Sequence, residues 1–441
     1  MVKKKISIIG GYGGMGAFFA KLFKEEGFSV TISGPSEIKG KNVAKELAAE
    51  YVKDNKKAAK GADIVMISVP IDHTLDIIRE VAPIVKKGAL LMDVTSVKEG
   101  PCKAMKKFAG IGVEILGTHP VFSHRVGTLE GQVFVLTPVR GKKWLAWLKE
   151  FLGKHKARVF ESTPQEHDQI MAVVQGLTHF AYISIGKTLE ELDLDVKESR
   201  KFSSPIYELM LDIVGRIIGQ NPELYASIQM QNPRVLEVHD AFLKAAKELN
   251  KTVKDRDEKK FIAIMSQAAK HFGDVESAMG RSDKAIYSLI SELDCLKNSI
   301  GKEICLKHIY SGKIHYGTVK DVTPDEVILV DSGKESRLKI SNLQILSDDE
   351  IVESLTEKFG TVKRDFSFVF DDGINGRFMA KLLRSYDLDI IGVEIKDVYT
   401  GSQIGPGRKS ICFGVEILNR DPKETSAGIN EFFSRLGGIV R

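Results

Sequence analysis

The sequence predicts four folded parts in order: an α/β domain with a parallel, doubly wound sheet, an all-helical domain, a small antiparallel barrel and a closing α+β sandwich. Three observations carry this expectation. From Lys5 to Pro138, β-branched runs alternate with amphipathic helical stretches, as in a parallel sheet with crossover helices. From Pro164 to Ser299, long apolar-periodic stretches run without a convincing strand. From Gly301 onward, short alternating runs return between turn signals. A chain of 441 residues exceeds what one core fills. The boundaries expected are 1–162, 163–299, 300–348 and 349–441.

The first domain reads as strand KISIIG, a helix from Gly14 to Glu26, strand SVTISG, a helix near Lys41 to Asp54, strand DIVMISVP, a helix near Thr74 to Val85, and strands ALLMDVTS and EILGTH, followed by a short strand at Phe134–Thr137. In the helical domain, Asn221-Pro222 and Asn232-Pro233 mark helix starts. IHYGTVKDVTPDEVILVDSGKESRLKISNLQIL then alternates as a small SH3-like β-barrel would. The remainder follows the order strand, helix, strand, strand, helix, strand of a ferredoxin-like domain.

Composition narrows the function classes. Hydrophobic residues make up 43% and charged residues 28%, ordinary for a soluble globular chain and unlike a disordered or membrane-spanning one. The net charge of +5 is too mild to imply nucleic-acid binding by itself. The start MVKKKISIIGG stops its apolar run at glycines, which reads as a first strand and not a signal peptide. Four scattered cysteines suggest neither a disulfide framework nor a zinc cluster, and a cytoplasmic location is expected.

Directly after the first strand lies Gly11-Tyr12-Gly13-Gly14-Met15-Gly16, a GxGxxG that opens a helix. Its glycines permit a tight turn, close approach of a pyrophosphate and close helix–strand packing, so a Rossmann dinucleotide site is expected. The second-strand end, where an acid usually holds the adenine ribose, reads Thr31-Ile32-Ser33-Gly34-Pro35-Ser36, with Lys39 and Lys41 behind and only Glu37 acidic. Hydroxyls and lysines there suit a 2′-phosphate, while Glu37 swinging in would serve NAD, so NADP or NAD is expected. The cofactor-binding set is Gly11, Tyr12, Gly13, Gly14, Met15, Gly16, Ser33 and Pro70.

Hydride transfer from an alcohol needs a base for the hydroxyl proton. His119 ends a strand beside the expected crevice and is the candidate, with a structural histidine as the plainer alternative. In the helical domain, Arg216 sits among Leu211, Ile213, Val214, Ile217 and Ile218. A buried guanidinium there needs an anion: either an anionic ligand or, more simply, Asp212 one turn earlier.

Seven stretches occur in the order GGYGGMG, ISVPI, DVTSVKEGP, GTHPVF, EHDQIMAVVQGLTHF, SSPIYELMLDIVGRIIGQNPELYASI and HFGDVESAM. Over residues 1–290 the chain thereby resembles the prephenate dehydrogenases of tyrosine biosynthesis. The resemblance implies NAD(P)-dependent oxidative decarboxylation of prephenate to 4-hydroxyphenylpyruvate, with arogenate or another hydroxy acid as the alternative substrate. It implies that His119 acts on the ring hydroxyl with Ser96 beside it, and that Arg216 binds a substrate carboxylate. Lys98 lines the same pocket, and His179 lies near the substrate or effector. It also implies a homodimer through the helical dimerisation domain, and end-product control by tyrosine as effector, sensed by the C-terminal part, would suit such a biosynthetic enzyme. The family's common HPMFGP is replaced here by His119-Pro120-Val121-Phe122-Ser123-His124-Arg125. His124 and Arg125 read as solvated, the alternative being a contact with a substrate carboxylate. DVYTGSQIGPGRKSICFGVEI resembles the ferredoxin-fold anticodon-binding domain of phenylalanyl-tRNA synthetases. That opens an RNA-associated alternative, but a regulatory or assembly role is favoured over tRNA binding.

Overall fold

The computed structural model describes residues 3–387 and 389–441. In its first unit, Met1–Ser282, the chain opens with β1 (Lys5–Ile9), α1 (Gly14–Glu25), β2 (Ser29–Ser33), α2 (Glu37–Glu46), β3 (Glu50–Tyr51), α3 (Asn55–Ala59) and β4 (Ile64–Ile67). It continues with α4 (Ile71–Val81), β5 (Leu90–Asp93), α5 (Glu99–Phe108), β6 (Glu114–Pro120), β7 (Val133–Arg140), α6 (Lys143–Lys154) and β8 (Arg158–Glu161). The strands form one sheet in the order β3-β2-β1-β4-β5-β6-β7-β8. All neighbours are parallel except β6 and β7.

The apolar runs follow from this sheet being covered on both faces. Ile6, Ile8, Ile64, Met66, Leu90 and Met92 enter one core cluster, while the intervening Ile9, Val65, Ile67 and Leu91 enter another. Alternate side chains of one strand thus feed opposite layers. Strand order reverses around β1, which opens a crevice at the carboxyl ends of β1 and β4. The helix expected near Lys41–Asp54 runs instead over Glu37–Glu46. The Ser36 hydroxyl caps its start by accepting from Lys39 N, and Ala48 at φ 48° turns the chain into β3.

The helices that follow are α7 (Pro164–Met171), a π-helical turn (Ala172–Leu177), α8 (Thr178–Glu191), α9 (Val196–Arg200), α10 (Pro205–Ile218), α11 (Pro222–Gln231), α12 (Val235–Lys254), α13 (Glu258–Phe272) and α14 (Val275–Asn298). Polar bonds tie them to the sheet domain. Ser227 Oγ and Gln231 Nε2 donate to Asp72 of α4 at 2.7 and 3.1 Å, and Arg234 Nε meets Glu99 of α5 at 3.3 Å. The sheet domain and the helices through α13 accordingly form one unit.

The second unit, Asp283–Arg441, holds β9 (Glu303–His308), β10 (Ile314–Val322), β11 (Glu326–Asp331), β12 (Lys334–Lys339) and β13 (Leu343–Ile345), in an antiparallel sheet ordered β12-β11-β10-β9-β13. After α15 (Asp348–Phe359), which the sequence reading did not include, come β14 (Thr361–Asp371), α16 (Gly376–Arg384), β15 (Ile390–Tyr399), β16 (Arg408–Leu418), α17 (Pro422–Arg435) and β17 (Ile439–Val440). This sheet is ordered β15-β16-β14-β17 around a core of Phe368, Phe370, Phe413 and Phe433. Arg420 links the two sheets, donating to Asp389 at 2.6 Å and to Glu303 at 2.9 Å.

Candidate active site

β6 carries His119 to the carboxyl edge of the sheet, where its ring is almost fully buried. Its Nδ1 lies 2.9 Å from Nε2 of His167, and His167 Nδ1 lies 2.8 Å from Asp168 Oδ1. Asp168 in turn accepts from the backbone N–H groups of Lys98 (2.7 Å) and Glu99 (2.8 Å). Those two donors fix Asp168 as an acceptor, so His167 carries its proton on Nδ1 and presents a bare Nε2. His119 must then donate from Nδ1, which leaves its own Nε2 as an unprotonated acceptor. Burial, reinforced by His167 and Lys98, holds the His119 imidazole well below the usual histidine range. His167 is lowered too, first by burial and against the opposing bond from Asp168. At neutral pH the site therefore contains a neutral imidazole in one set tautomer, the state a general base requires.

Lys98, expected to line the substrate pocket, is instead fully buried. Its ammonium is paired with Asp93 and donates to the Thr118 carbonyl at 2.7 Å and to Thr95 Oγ1 at 3.3 Å. Three N–H bonds meet three protein acceptors, so the lysine braces the ends of β5 and β6 and has no donor left for a substrate. Ser96 is half-buried in the turn between β5 and α5, two residues before it.

The arginine expected to be buried is exposed: α10 buries Leu211, Val214 and Ile217 on one face and leaves Arg216 on the other. Its simpler pairing is also overturned, because Asp212 is taken by Arg200 at 2.8 Å. Among the described residues Arg216 has no ion pair. Its charge is felt by Tyr225, whose ring packs edge-on against His179 with centroids 4.4 Å apart. Burial pushes the His179 imidazole down to about 4, and its Nδ1 is buried without a partner. Arg216, Tyr225 and His179 thus form a second group within the helical domain.

At the glycine loop, a Cβ on Gly16 would stand 2.4 Å from the Gly10 carbonyl oxygen, so only glycine lets α1 pack on the end of β1. A Cβ on Gly13 would meet nothing closer than that oxygen at 3.4 Å, and the first turn of α1 has no side-chain cap. Open space before uncapped N–H donors fits a dinucleotide pyrophosphate. The Tyr12 hydroxyl accepts from Ser36 N at 2.9 Å, and Met15 lies in the first turn of α1. Ser33 serves the loop more than the cofactor: it is buried, its hydroxyl donates to Asn55 at 3.0 Å and its carbonyl accepts from Gly10 and Gly11. Glu37 is held by Lys41 at 2.7 Å, and Pro70 is exposed at the start of α4. His124 is exposed, and a Cβ on Gly14 would stand 2.7 Å from its ring. Gly13→Val should therefore fold with Tm within a few degrees of wild type, yet weaken dinucleotide binding at least about 10-fold in a fluorescence titration.

Models of two prephenate dehydrogenase domains match the chain: the nucleotide-binding domain over residues 19–161 and the dimerization domain over residues 163–267. A protein of Methanocaldococcus jannaschii named "Probable arogenate/prephenate dehydrogenase" is 45% identical over 99% of this chain and 98% of its own length. The chain belongs to the prephenate dehydrogenase family. The chain is also similar to the T-protein of Haemophilus influenzae, 29% identical over 66% of this chain and 72% of that protein. The crystal structure of prephenate dehydrogenase from A. aeolicus, in complex with hydroxyphenyl propionate and NAD+, superposes with a TM-score of 0.52. At 20% identity over 62% of this chain and 99% of that one, it shares the fold, a Rossmann-like domain followed by a helical dimerisation domain. Family membership makes the chain an oxidoreductase that uses NAD or NADP. No helix among the described residues is long and apolar enough to cross a membrane.

Sequence reasoning assigned no role to His167, Asp168 or Gln175. Their signal was present in EHDQIMAVVQG, where an adjacent His-Asp pair opens an apolar helix, but only the fold shows that this pair reaches His119.

Proposed function

We propose that this chain oxidises prephenate with NAD or NADP and releases carbon dioxide and 4-hydroxyphenylpyruvate. The single observation that carries the reading is the proton-ordered chain Asp168–His167–His119, which leaves the Nε2 of a neutral His119 free to take a proton. The bound nicotinamide supplies the hydride acceptor. His119 takes the ring hydroxyl proton as that hydride leaves the same carbon, which makes a ring carbonyl. The bond to the ring carboxylate then breaks, carbon dioxide departs, and the electron pair enters the ring to give a phenolate oxygen. That oxygen recovers the proton from His119, so no net proton is taken up or lost.

Ser96, in the turn beside this edge, is assigned with His119 to the reacting end of the substrate. Exposed Arg216, without an ion pair among the described residues, is assigned to a substrate carboxylate, with His179 beyond the Tyr225 ring that lies between them in the chain of contacts. Phe202, in the turn between α9 and α10, and Met230 and Leu236, on α11 and α12, are 90%, 81% and 74% exposed, apolar surface of the kind a homodimer covers. The four-part division with boundaries at 162, 299 and 348 is supported by the change of element type near each. Sheet order β15-β16-β14-β17 with βαββαβ succession supports the ferredoxin-like reading, and the five-stranded antiparallel sheet supports the barrel. For this C-terminal unit a regulatory or assembly role, with tyrosine as effector, is favoured over tRNA binding. A cleft on its sheet mixes Lys363 and Lys396 with Glu394 and Glu416, where a nucleic-acid groove would gather cations alone. Expression in the cytoplasm fits the absence of a spanning helix among the described residues.

The experiment is the appearance of reduced-nicotinamide absorbance with prephenate or arogenate and each dinucleotide in turn, with tyrosine added as inhibitor. Turnover of prephenate is expected. Turnover of arogenate alone replaces the substrate, and silence with both sinks the reading.

A further inference from the structure

We infer that Gln175 is a catalytic residue, whose carboxamide donates a hydrogen bond to the reacting hydroxyl oxygen and stabilises the negative charge that grows there as His119 withdraws the proton. The inference rests on His119 being the base.

Gln175 lies in the π-helical turn Ala172–Leu177 between α7 and α8. Such turns are uncommon and shift side chains out of α-helical phase, often at functional positions. This one is pinned from outside. The Gly176 carbonyl accepts from Gln229 Nε2 at 3.0 Å, and Gln229 is itself held by His239 at 2.9 Å. A Cβ on Gly176 would stand 2.9 Å from Val235, so α12 packs directly on the turn. The result is that Gln175 Nε2 stands 3.5 Å from His119 Nε2, the one nitrogen of that ring left without a proton.

The tautomer argument also fixes which end of the amide faces the ring. His119 Nε2 is an acceptor, so the amide NH2 and not the oxygen is turned toward it. At 3.5 Å this contact is too long to hold the amide firmly. Meanwhile Gln175 Oε1 is buried with no partner. A side chain with one loose bond and one orphaned atom, beside the reactive nitrogen, is arranged for a third party. A substrate hydroxyl oxygen set to one side of the line joining the two nitrogens, about 2.8 Å from each, would point its O–H at His119 Nε2 while its lone pair receives the Gln175 N–H. As the proton moves to His119, the oxygen gains negative character and the amide bond strengthens, which is stabilisation of the transition state over the ground state.

The groups facing His119 are His167 from α7, Gln175 from the π turn and, through its charge, Lys98 at the start of α5. Of these only Gln175 adjoins the reactive nitrogen. Placing a carboxylate there stabilises protonated His119 and raises its pKa.

The test uses the full chain with prephenate, and with arogenate should that prove the substrate. Gln175→Met keeps the length and removes donor and acceptor. It should lower kcat by about 10- to 100-fold, with dinucleotide affinity and Tm near wild type. Gln175→Glu should move the acid limb of the kcat–pH profile upward by about one unit or more. A kcat within threefold of wild type for Gln175→Met, with an unmoved acid limb for Gln175→Glu, overturns the role of Gln175 while leaving the proposed reaction intact. Joint loss of kcat, dinucleotide affinity and Tm in both variants makes the residue structural and overturns it as well. A wild-type chain inactive with both substrates overturns this inference together with the reading it rests on.

Discussion

Replacing His119 with Asn should lower kcat by about 10²- to 10⁴-fold, the range expected when a positioned general base is removed. The dinucleotide should bind as before. Asn supplies an N–H where Nδ1 stands 2.9 Å from His167, so the buried relay keeps a donor at that end. What disappears is Nε2, the atom that would accept the substrate proton. Stopped-flow measurement of the first turnover isolates the chemical step, and an unchanged rate there makes His119 structural. The wild-type pH profile follows from the same burial. Because His119 sits well below its ordinary value of 6.5, kcat should stay level through neutral pH and fall only in acid, as the base becomes protonated. Stability responds in the same direction. Below pH 6.5 the unfolded chain binds a proton that folded His119 refuses, so the folded state weakens as pH falls toward the lowered value. His119→Asn lacks that proton and should lose less Tm than wild type between pH 7 and pH 5. An equal loss in both would detach the acid sensitivity from His119.

Much of this site was legible because local chemistry announces it. The GxGxxG loop is readable from Gly11 to Gly16, since the crowding that demands glycine at position 16 arises within one strand–helix unit. His119 is readable from the strand that ends on it. Lys98 is not, because its three acceptors come partly from Asp93 and Thr95 nearby and partly from Thr118 on the next strand, a pairing that only the sheet creates. Arg216 was misjudged for a related reason. Apolar neighbours in sequence suggested a buried guanidinium, but α10 turns them to one side and Arg216 to the other. Asp212 stands one turn away as a partner until Arg200 arrives from α9. The π-helical turn lies further still from sequence logic: AVVQGL has the apolar spacing of any buried helix, and it is the contact of Val235 and Gln229 with Gly176 that accompanies its widened geometry.

Asp168→Asn should lower kcat by roughly 10³-fold or more, through proton placement and without direct contact with substrate. The native carboxylate accepts three bonds: from Lys98 N and His167 Nδ1 at one oxygen, and from Glu99 N at the other. An amide offers one oxygen and one NH2 to the same three groups. If its oxygen stays with Lys98 and His167, its NH2 opposes the Glu99 N–H, two donors facing each other in a buried place, at a cost of about 1–3 kcal/mol. If it turns over, the NH2 opposes the Lys98 N–H in the same way and also faces His167 Nδ1, which must then become the acceptor and move its proton to Nε2. His119 is forced to accept at Nδ1 and to carry its own proton on Nε2, so the atom needed as base is already occupied. Loss of an orienting carboxylate behind a buried histidine costs about 10⁴-fold through this same tautomer reversal. Asp168→Ala separates the two effects: it leaves two backbone donors and His167 unsatisfied and should lower Tm more, but it imposes no wrong tautomer. A lower kcat for Asn than for Ala, despite the higher Tm, is the signature of tautomer control. The opposite order, or kcat values that simply track Tm, would assign Asp168 to holding α7 against the start of α5 and nothing more.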